Sequence, residues 1–494
     1  MIHSKGRPQL SKVQDWNSLV GPLIDKMYAE PKNAIIVRFL SCISEHLAEA
    51  ADVVLSRVLS QMRGQKKLQS VDFCGLMKGV SKWECGNFTS EESMEMQQSL
   101  FERLCPLLII KLLPLRVFDD VNSYIMYGQC LNEETMHEYG DIDIIDHQCV
   151  AAFLLNRAFS KFEFVDVRKL AAELCGRIHP QVLLPIARTQ LEHAAGSQDI
   201  LKIKACLFSV CTSLVIRGKD SISHPATLAI RKMLEAIMLW PSSAGDEVYK
   251  AQHGCIDCLA LMICADPQSP EKSGHPGDAV TRNSVLTSVI HHIIHDKDEV
   301  VSSSKLGCEN CALEVPASLS FRLCMVNVLI SACQKISDSG KKPFAERSLP
   351  LLIHSVEGIM NPEIRAACIQ FLFSAVYHLK SIVLPYSSDL LKLSLKFIGK
   401  GLEQISTSEA HTVGHDGVKS EKEKLMSVVF SLHQERMAGA KLMTCLMAGD
   451  DEMLESISEV LLDARSELSS LSSTDPSLNH LRQLCEKLLA CMNS

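Results

Sequence analysis

Two Cys-x-x-Cys pairs are the residues of this chain best suited to bind a metal ion. They are Cys255 with Cys258 and Cys308 with Cys311, and four thiolates can hold zinc tetrahedrally. Paired zinc motifs usually lie ~15 to 20 residues apart, whereas 49 residues separate these two. Because Cys255 also continues an apolar helical stripe, we expect Cys255 and Cys258 to be core residues, with zinc as the alternative. The polar surroundings of Cys308 and Cys311 leave that pair less explained.

A histidine group lies further along the chain. His291, His292 and His295 stand about one helical turn apart, a spacing at which two imidazoles can share a metal. No HExxH motif accompanies them. Since the dipole of a helix favours histidine near its C-terminal end, we expect these residues to mark the end of a helix.

An acidic group precedes these motifs and could hold a cation. Its members share one short segment: Asp141, Asp143, Asp146 and His147. The segment lacks the glycine and the terminal glutamate of a calcium-binding loop. We therefore expect acids at a helix start followed by a solvated turn, and a docking patch for a basic partner is the alternative.

Two further motifs concern covalent modification. Ser269 precedes Pro270 in a stretch rich in Pro and Gly, and it resembles a proline-directed kinase site, where phosphate would change the charge of the loop. Cys491 stands where a prenylation box would place it, but polar Asn493 occupies a normally aliphatic position. Ser269 is thus the candidate regulatory residue, and we expect the C-terminal match to be fortuitous.

Motifs for catalysis and cofactor binding are missing from the sequence. It has no Gly-rich phosphate loop, GxSxG elbow, HExxH or kinase HRD motif. Its 50 Lys+Arg residues against 58 Asp+Glu give a net charge of −8, and the basic clusters are short. A protein that binds phosphate backbones normally carries a basic face. We predict a protein that is not an enzyme, holds no cofactor and does not bind nucleic acid directly.

The elements that must position these residues are predicted to be helices. Aromatic residues make up 5% of the 494 residues, whereas β-sandwiches and barrels draw on aromatic and β-branched residues. Apolar residues recur at helical spacing from Val167 to Ile178, from Ile203 to Leu214 and from Ile364 to Leu379. No apolar run reaches the ~18 to 20 residues that cross a bilayer. The sequence therefore predicts an all-α chain that does not insert into a membrane.

Two segments have the pattern of a helical hairpin. In one, Leu349–Pro350 opens a helix, and Asn361–Pro362 caps the next one. In the other, Leu184–Pro185 opens a helix that Gly196–Ser197 ends before the chain returns. Related positions recur after 35 or 36 residues, which is close to the ~40-residue period of two-helix repeats.

This pattern, Leu-Pro-Leu-Leu followed by Ile-Arg and small residues, resembles the HEAT repeat and its armadillo relatives. The match is good at 349–372 and fair at 163–212, and the whole chain looks like a plant-type member of the armadillo superfamily. The resemblance implies one right-handed α-solenoid of stacked helical hairpins over residues 1–494, and it assigns no catalytic residues. Polar stretches between the helices predict mobile loops near 82–92, 131–143, 266–283, 296–317, 405–424 and 466–477.

We therefore expect a helical-repeat scaffold that binds partner proteins in a concave groove. A nuclear transport receptor and a solenoid subunit of a larger enzyme complex are the alternatives. The N-terminus lacks the apolar core of a secretory signal, and a reducing cytoplasm or nucleus would keep the 20 cysteines as thiols. Arg168, Lys204 and Arg365 recur at one position of the second helix. We expect them to join loops or neighbouring repeats rather than contact a ligand.

Overall fold

The computed structural model describes residues 15–30, 33–61, 90–128, 149–161, 163–241, 246–266, 284–295 and 319–397, with shorter stretches between 434 and 490. Within these residues the regular elements are helices, and no strand occurs. The prediction of an all-α chain is confirmed. Residues 90–92 of the first predicted loop belong to a helix, and the other predicted loops lie almost entirely outside the described residues.

The chain divides into two compact units, and each is described by itself. The first comprises Met1–Ile237 and Ser242–Cys258, and the second comprises Met238–Pro241 and Leu259–Ser494. Helices of two or more turns are numbered, and shorter ones are left unnumbered. The helices assigned mainly to the first unit are α1 Trp16–Ala29, α2 Ala34–Cys42, α3 51–61, α4 Ser90–Leu112, α5 Val150–Phe159, α6 Val165–Cys175, α7 Pro180–Ser197, α8 Ile200–Arg217, α9 Ala226–Met238 and α10 Asp246–Ala265.

The second unit takes in the C-terminal part of α10, and the numbered helices that follow α10 in the described residues also belong to it. They are α11 Val285–Ile294, α12 Leu319–Lys335, α13 Asp338–Ser355, α14 Pro362–Leu379, α15 387–397 and α16 Met437–Leu446.

Consecutive helices pair as hairpins within each unit. In the first unit α5 packs against α6 and α7 against α8, and the second helices of these pairs, α6 and α8, also pack side by side. In the second unit α11 pairs with α12 and α13 with α14. There α12 lies against α14, and α11 lies against α13. Each hairpin therefore contacts the next one through helices of corresponding position.

The corner before α14 confirms the cap predicted from the sequence. The Asn361 side-chain oxygen accepts hydrogen bonds from the backbone N–H groups of Glu363 at 2.9 Å and Ile364 at 3.1 Å. Pro362 occupies the first turn, where its missing N–H removes no helical hydrogen bond. Asp199 caps α8 in the same way by accepting from the N–H of Lys202.

The predicted starts of the first helices are wrong. Pro350 lies inside α13, which begins at Asp338, and Pro185 lies inside α7, which begins at Pro180. An interior proline removes one backbone hydrogen bond and clashes with the carbonyl four residues before it, a cost of about 3 kcal/mol, so burial of more than one side chain is needed to offset it. The turns that precede Pro350 bury apolar side chains such as Phe344, and full burial of such a side chain contributes about 1.5–3 kcal/mol. Burial therefore extends the helix past the proline.

Helices α6 and α8 meet at a glycine. A Cβ atom placed on Gly176 would lie 2.4 Å from the Cβ of Thr212 and 2.9 Å from the backbone N of Ser213. No side chain fits at these separations, so Gly176 is required for the observed spacing of the two helices.

Gly176→Ala is expected to destabilise the chain by about 1–3 kcal/mol, because the helices must separate to admit the methyl group. Gly196→Ala on α7 is the matched control, since nothing lies within 4 Å of its Cβ position. Removing that glycine from a helix should leave stability unchanged or raise it by up to about 1 kcal/mol. Urea unfolding followed by circular dichroism compares the two, and equal effects would contradict the close packing.

Candidate functional site

Helix α8 leaves an apolar strip in contact with solvent. Leu201, Phe208 and Val215 follow one another at intervals of seven residues and are 44%, 46% and 67% exposed. Ile216, at 38% exposure, extends the strip at its C-terminal end. These four residues are called the α8 strip below. Seven residues are close to two helical turns, so the first three side chains lie in one row.

Neighbouring helices hold α8 on both sides of the strip. Towards α6, Thr212 contacts Gly176, as described above. Towards α10, the Cβ position of Gly254 lies 2.9 Å from Leu207 Cδ1, and Lys204 forms a salt bridge with Glu247. The strip is therefore the face of α8 that remains between its two neighbours.

The charged groups beside the strip are already paired. Glu247 accepts hydrogen bonds from Lys204 and from Lys250, the latter at 2.8 Å. These bonds lower the pKa of the Glu247 carboxyl to about 2. At neutral pH the edge of the strip thus carries one carboxylate bound by two lysines, a group with a net charge of +1.

The partner helix of the same hairpin has a different surface. The exposed residues of α7 are mainly polar and include Gln181, Arg188, Glu192 and His193. One hairpin therefore presents a polar outer surface on its first helix and an apolar one on its second. In the second unit, α14 is mostly buried, and Tyr377 is its exposed large apolar side chain.

The cysteines considered for zinc lie in the core where the structure describes them. Cys255 and Cys258 are fully buried on α10, in line with the buried residues Ala251, Leu259 and Met262. Their expected place on a core helix is confirmed for this pair. Cys308 and Cys311 lie outside the described residues. Among the residues that are described, no group of three His, Cys, Asp or Glu side chains could hold a metal ion.

Thiols from different helices contact one another in this core. Cys258 of α10 is hydrogen-bonded with Cys211 of α8, and this bond together with burial raises the pKa of Cys258 well above that of a free thiol. Burial also raises the pKa of Cys206 to about 12. A thiol with so high a pKa remains neutral at physiological pH and packs as a small apolar side chain.

The histidine group marks a helix end, as expected. Helix α11 ends at Ile294, and His295 follows as its C-cap. The ring centres of His291 and His295 lie 4.4 Å apart, and those of His292 and Phe321 lie 5.3 Å apart with the two rings nearly perpendicular. Ser269, Cys491 and the acidic segment 141–147 lie outside the described residues.

Two of the three recurring basic residues join neighbouring segments. Arg365 donates to the backbone carbonyl groups of Ile359 and Met360 and forms a salt bridge of 2.7 Å with the buried Glu435. Lys204 joins α8 to α10 through Glu247. Arg168 is half-buried on α6.

Other arginine contacts were not predicted from the sequence. Arg177 donates to the carbonyl groups at the C-terminal end of α4, including that of Lys111 at 2.8 Å, and its guanidinium lies 5.0 Å from the centre of the Phe118 ring. Arg103 and Arg157 both form salt bridges with the buried Glu163. These partners lie up to 67 residues apart, and no local pattern relates positions so distant.

An open cavity of about 450 Å³ lies among the first helices. Its charged lining includes Glu49, Asp52, Asp120 and Arg116. Arg116 donates at 2.7 Å to the backbone carbonyl of Glu45, so this cation already serves the fold.

One stretch of the described chain, Pro362–Phe397, is long and apolar enough to cross a membrane. Half of its most apolar part is buried inside the protein. The core helix of a folded domain has the same length and composition, so this stretch is weak support for a membrane span.

The buried thiols should resist alkylation in the folded chain. At pH 8 a thiol with a pKa of about 12 is ionised in about one molecule in ten thousand, so Cys206 should react with iodoacetamide far more slowly than the exposed Cys42. Mass spectrometry of peptides after timed labelling measures both rates, and urea should equalise them. Rapid native labelling of Cys206 would contradict its burial.

The same raised pKa values make the free energy of unfolding depend on pH. Because unfolding lowers the pKa values of Cys206 and Cys258, the stability of the fold should fall as the pH rises above about 8.5.

Known proteins provide no relative for this chain. No protein-family model, curated protein or solved structure matches the chain. The function must therefore be argued from the residues and their packing.

Proposed function

We propose that this chain is a non-enzymatic helical-repeat scaffold that binds partner proteins through the exposed faces of its second helices. The observation that carries the proposal is the α8 strip. Large apolar side chains that stay in water lose the free energy of burial, about 25 cal/mol per Å², and contiguous exposed apolar surface on a folded chain typically marks an interaction site.

The packing of the hairpins supports the repeat architecture. In each unit the second helices of successive hairpins lie side by side, as α6 does with α8 and α12 with α14. HEAT and armadillo repeats stack in this manner, and each repeat contacts its neighbours. A right-handed α-solenoid formed by the whole chain, with a concave groove lined by second helices, is the architecture we propose.

The surfaces of the α7–α8 hairpin support a binding role for its second helix. Stacked hairpins have two outer surfaces, one formed by first helices and one by second helices. The first surface is polar at Arg188, Glu192 and His193, as expected for a face that stays in water. The second carries the α8 strip, so a partner would bind on that side.

The titratable residues support a scaffold rather than an enzyme. Cys255 and Cys258 pack in the core, and Lys204 and Arg365 join segments of the chain to one another. In these positions the four side chains stabilise the fold. The cysteines of the described residues are free thiols, which supports a reducing location, the cytoplasm or the nucleus.

Site-specific photo-crosslinking in cells tests the proposal. A benzoylphenylalanine residue in place of Phe208 should give covalent adducts with a reproducible protein, because this position would lie against the partner. The same residue in place of Arg188, on the polar face of α7, is the matched control and should give few adducts. The identity of the captured protein would decide whether the scaffold serves transport, a larger enzyme complex or another assembly.

The introduction of Val215→Asp should reduce the Phe208 adducts, since a carboxylate in the strip would have to lose its water on binding. Equal labelling from positions 208 and 188, or adducts that persist in full with Val215→Asp, would contradict binding at this surface.

A further inference from the structure

We infer that the α8 strip binds a single amphipathic helix of its partner protein, with apolar side chains spaced three, four and seven residues apart. This inference rests on the proposed function. Its argument comes from the spacing of the strip, its area and the charges beside it.

The spacing of the strip fits a helix. Leu201, Phe208 and Val215 lie about 10.5 Å apart along the axis of α8, and the row is about 21 Å long. A second helix placed along this row presents a side chain every three or four residues, so its apolar residues can pack between those of α8 over four turns. This is the arrangement by which helices with heptad spacing pack.

Extended peptides fit the spacing less well. A β-strand rises about 3.3 Å per residue, so positions about 10 Å apart are three residues apart and lie on opposite faces of the strand. A polyproline II helix returns to the same face every three residues, but the grooves that bind it are lined by aromatic residues. The α8 strip has one aromatic residue, Phe208.

The area of the strip indicates a helix rather than a second folded copy. Four side chains exposed by 38–67% present at most about 400 Å², even if each is given the ~150–250 Å² of an aromatic side chain. A stable complex of two folded chains buries ~800 Å² on each side. The strip supplies at most about half of that area, and its length matches one helix of four to five turns.

The charges beside the strip indicate that apolar contact dominates recognition. Lys204 and Lys250 both bind Glu247, so the three side chains carry a net charge of only +1, and a strongly acidic or basic partner would disturb these bonds. A helix with an apolar face and polar flanks of both signs leaves them intact.

A peptide library panned against the full-length chain tests the inference. The probe is a set of 18-residue peptides on an Ala/Glu/Lys helical framework, with seven positions randomised without regard to spacing. We expect selected peptides to carry apolar residues at i, i+3 or i+4, and i+7. A proline placed at the centre of a selected peptide should abolish binding, because it breaks the helix.

Variants of the chain locate the binding surface. Phe208→Asp should weaken binding of the selected peptides by about tenfold or more, whereas Arg188→Asp on the polar face of α7 should leave it unchanged. Val215→Asp repeats the test at the most exposed position of the strip, where a substitution disturbs the core least. Circular dichroism melting curves establish that each variant is folded, and fluorescence anisotropy measures the affinity.

Three results would overturn the inference: selection of no peptide, selection of proline-rich or alternating sequences, and affinity that neither aspartate variant changes. Dimerisation of the chain, if Phe208→Asp abolished it in sedimentation velocity, would assign the strip to a second copy and overturn the inference as well. If any of the three peptide results were obtained, photo-crosslinks from position 208 to a cellular protein would still support the scaffold proposal. A failure of the helix inference can therefore be distinguished from a failure of the proposed function.

Discussion

The close contact between second helices is the constraint on which the first unit depends. Gly176 admits Thr212 of α8, and Gly254 admits Leu207 on its other side. At Gly176 the helices α6 and α8 approach closely enough for backbone to form part of the packing surface, whereas at Gly254 the end of the Leu207 side chain fills the space. The interior is close-packed, so a single added methylene in such a contact is felt by both helices. The direction in which the α8 strip points follows from these two contacts.

Cysteine side chains contribute to the packing of the same helices. Cys211 of α8 contacts Cys258 of α10, and Cys206, Cys255 and Cys258 are fully buried on these two helices. A thiol is small and weakly polar, so it packs like a short apolar side chain and still donates a weak hydrogen bond. The abundance of cysteine in this sequence is thus explained in part by helix packing, without metal binding or disulfides.

Local features of the helices could be predicted from the sequence. The cap at Asn361 and Pro362 depends on neighbouring residues, and the buried stripe of α10 through Cys255 depends on a period of 3.6 residues. The start of α7 also carries a local signal, since Pro180 occupies its first turn as Pro362 does in α14, and the prediction placed that start at Pro185 instead. In α13 the preference of proline for the first turn of a helix competes with burial of the preceding turns, and the outcome depends on tertiary packing around Phe344 and its neighbours.

The contacts that join distant segments also could not be predicted from local sequence patterns. Arg177 binds carbonyl groups at the end of α4 because the fold brings that helix end to it. In the sequence, an arginine that makes such a contact cannot be distinguished from one that stays exposed. A prediction of such a contact requires the order in which the helices stack, and the sequence supplies that order only through the faint repetition of its hairpins.

The composition of α8 shows why the candidate site was missed and why it matters. Apolar residues occur on all sides of this helix, from Ile203 and Leu214 on the buried face to Phe208 and Val215 on the exposed one. A helix that is apolar all round is normally buried all round, so the residue pattern of α8 does not indicate which of its apolar side chains stay exposed. In the structure, neighbouring helices cover part of the surface of α8, and the rest is exposed to solvent. The exposed part of α8 has the length of one more helix, which under our proposal belongs to a partner protein.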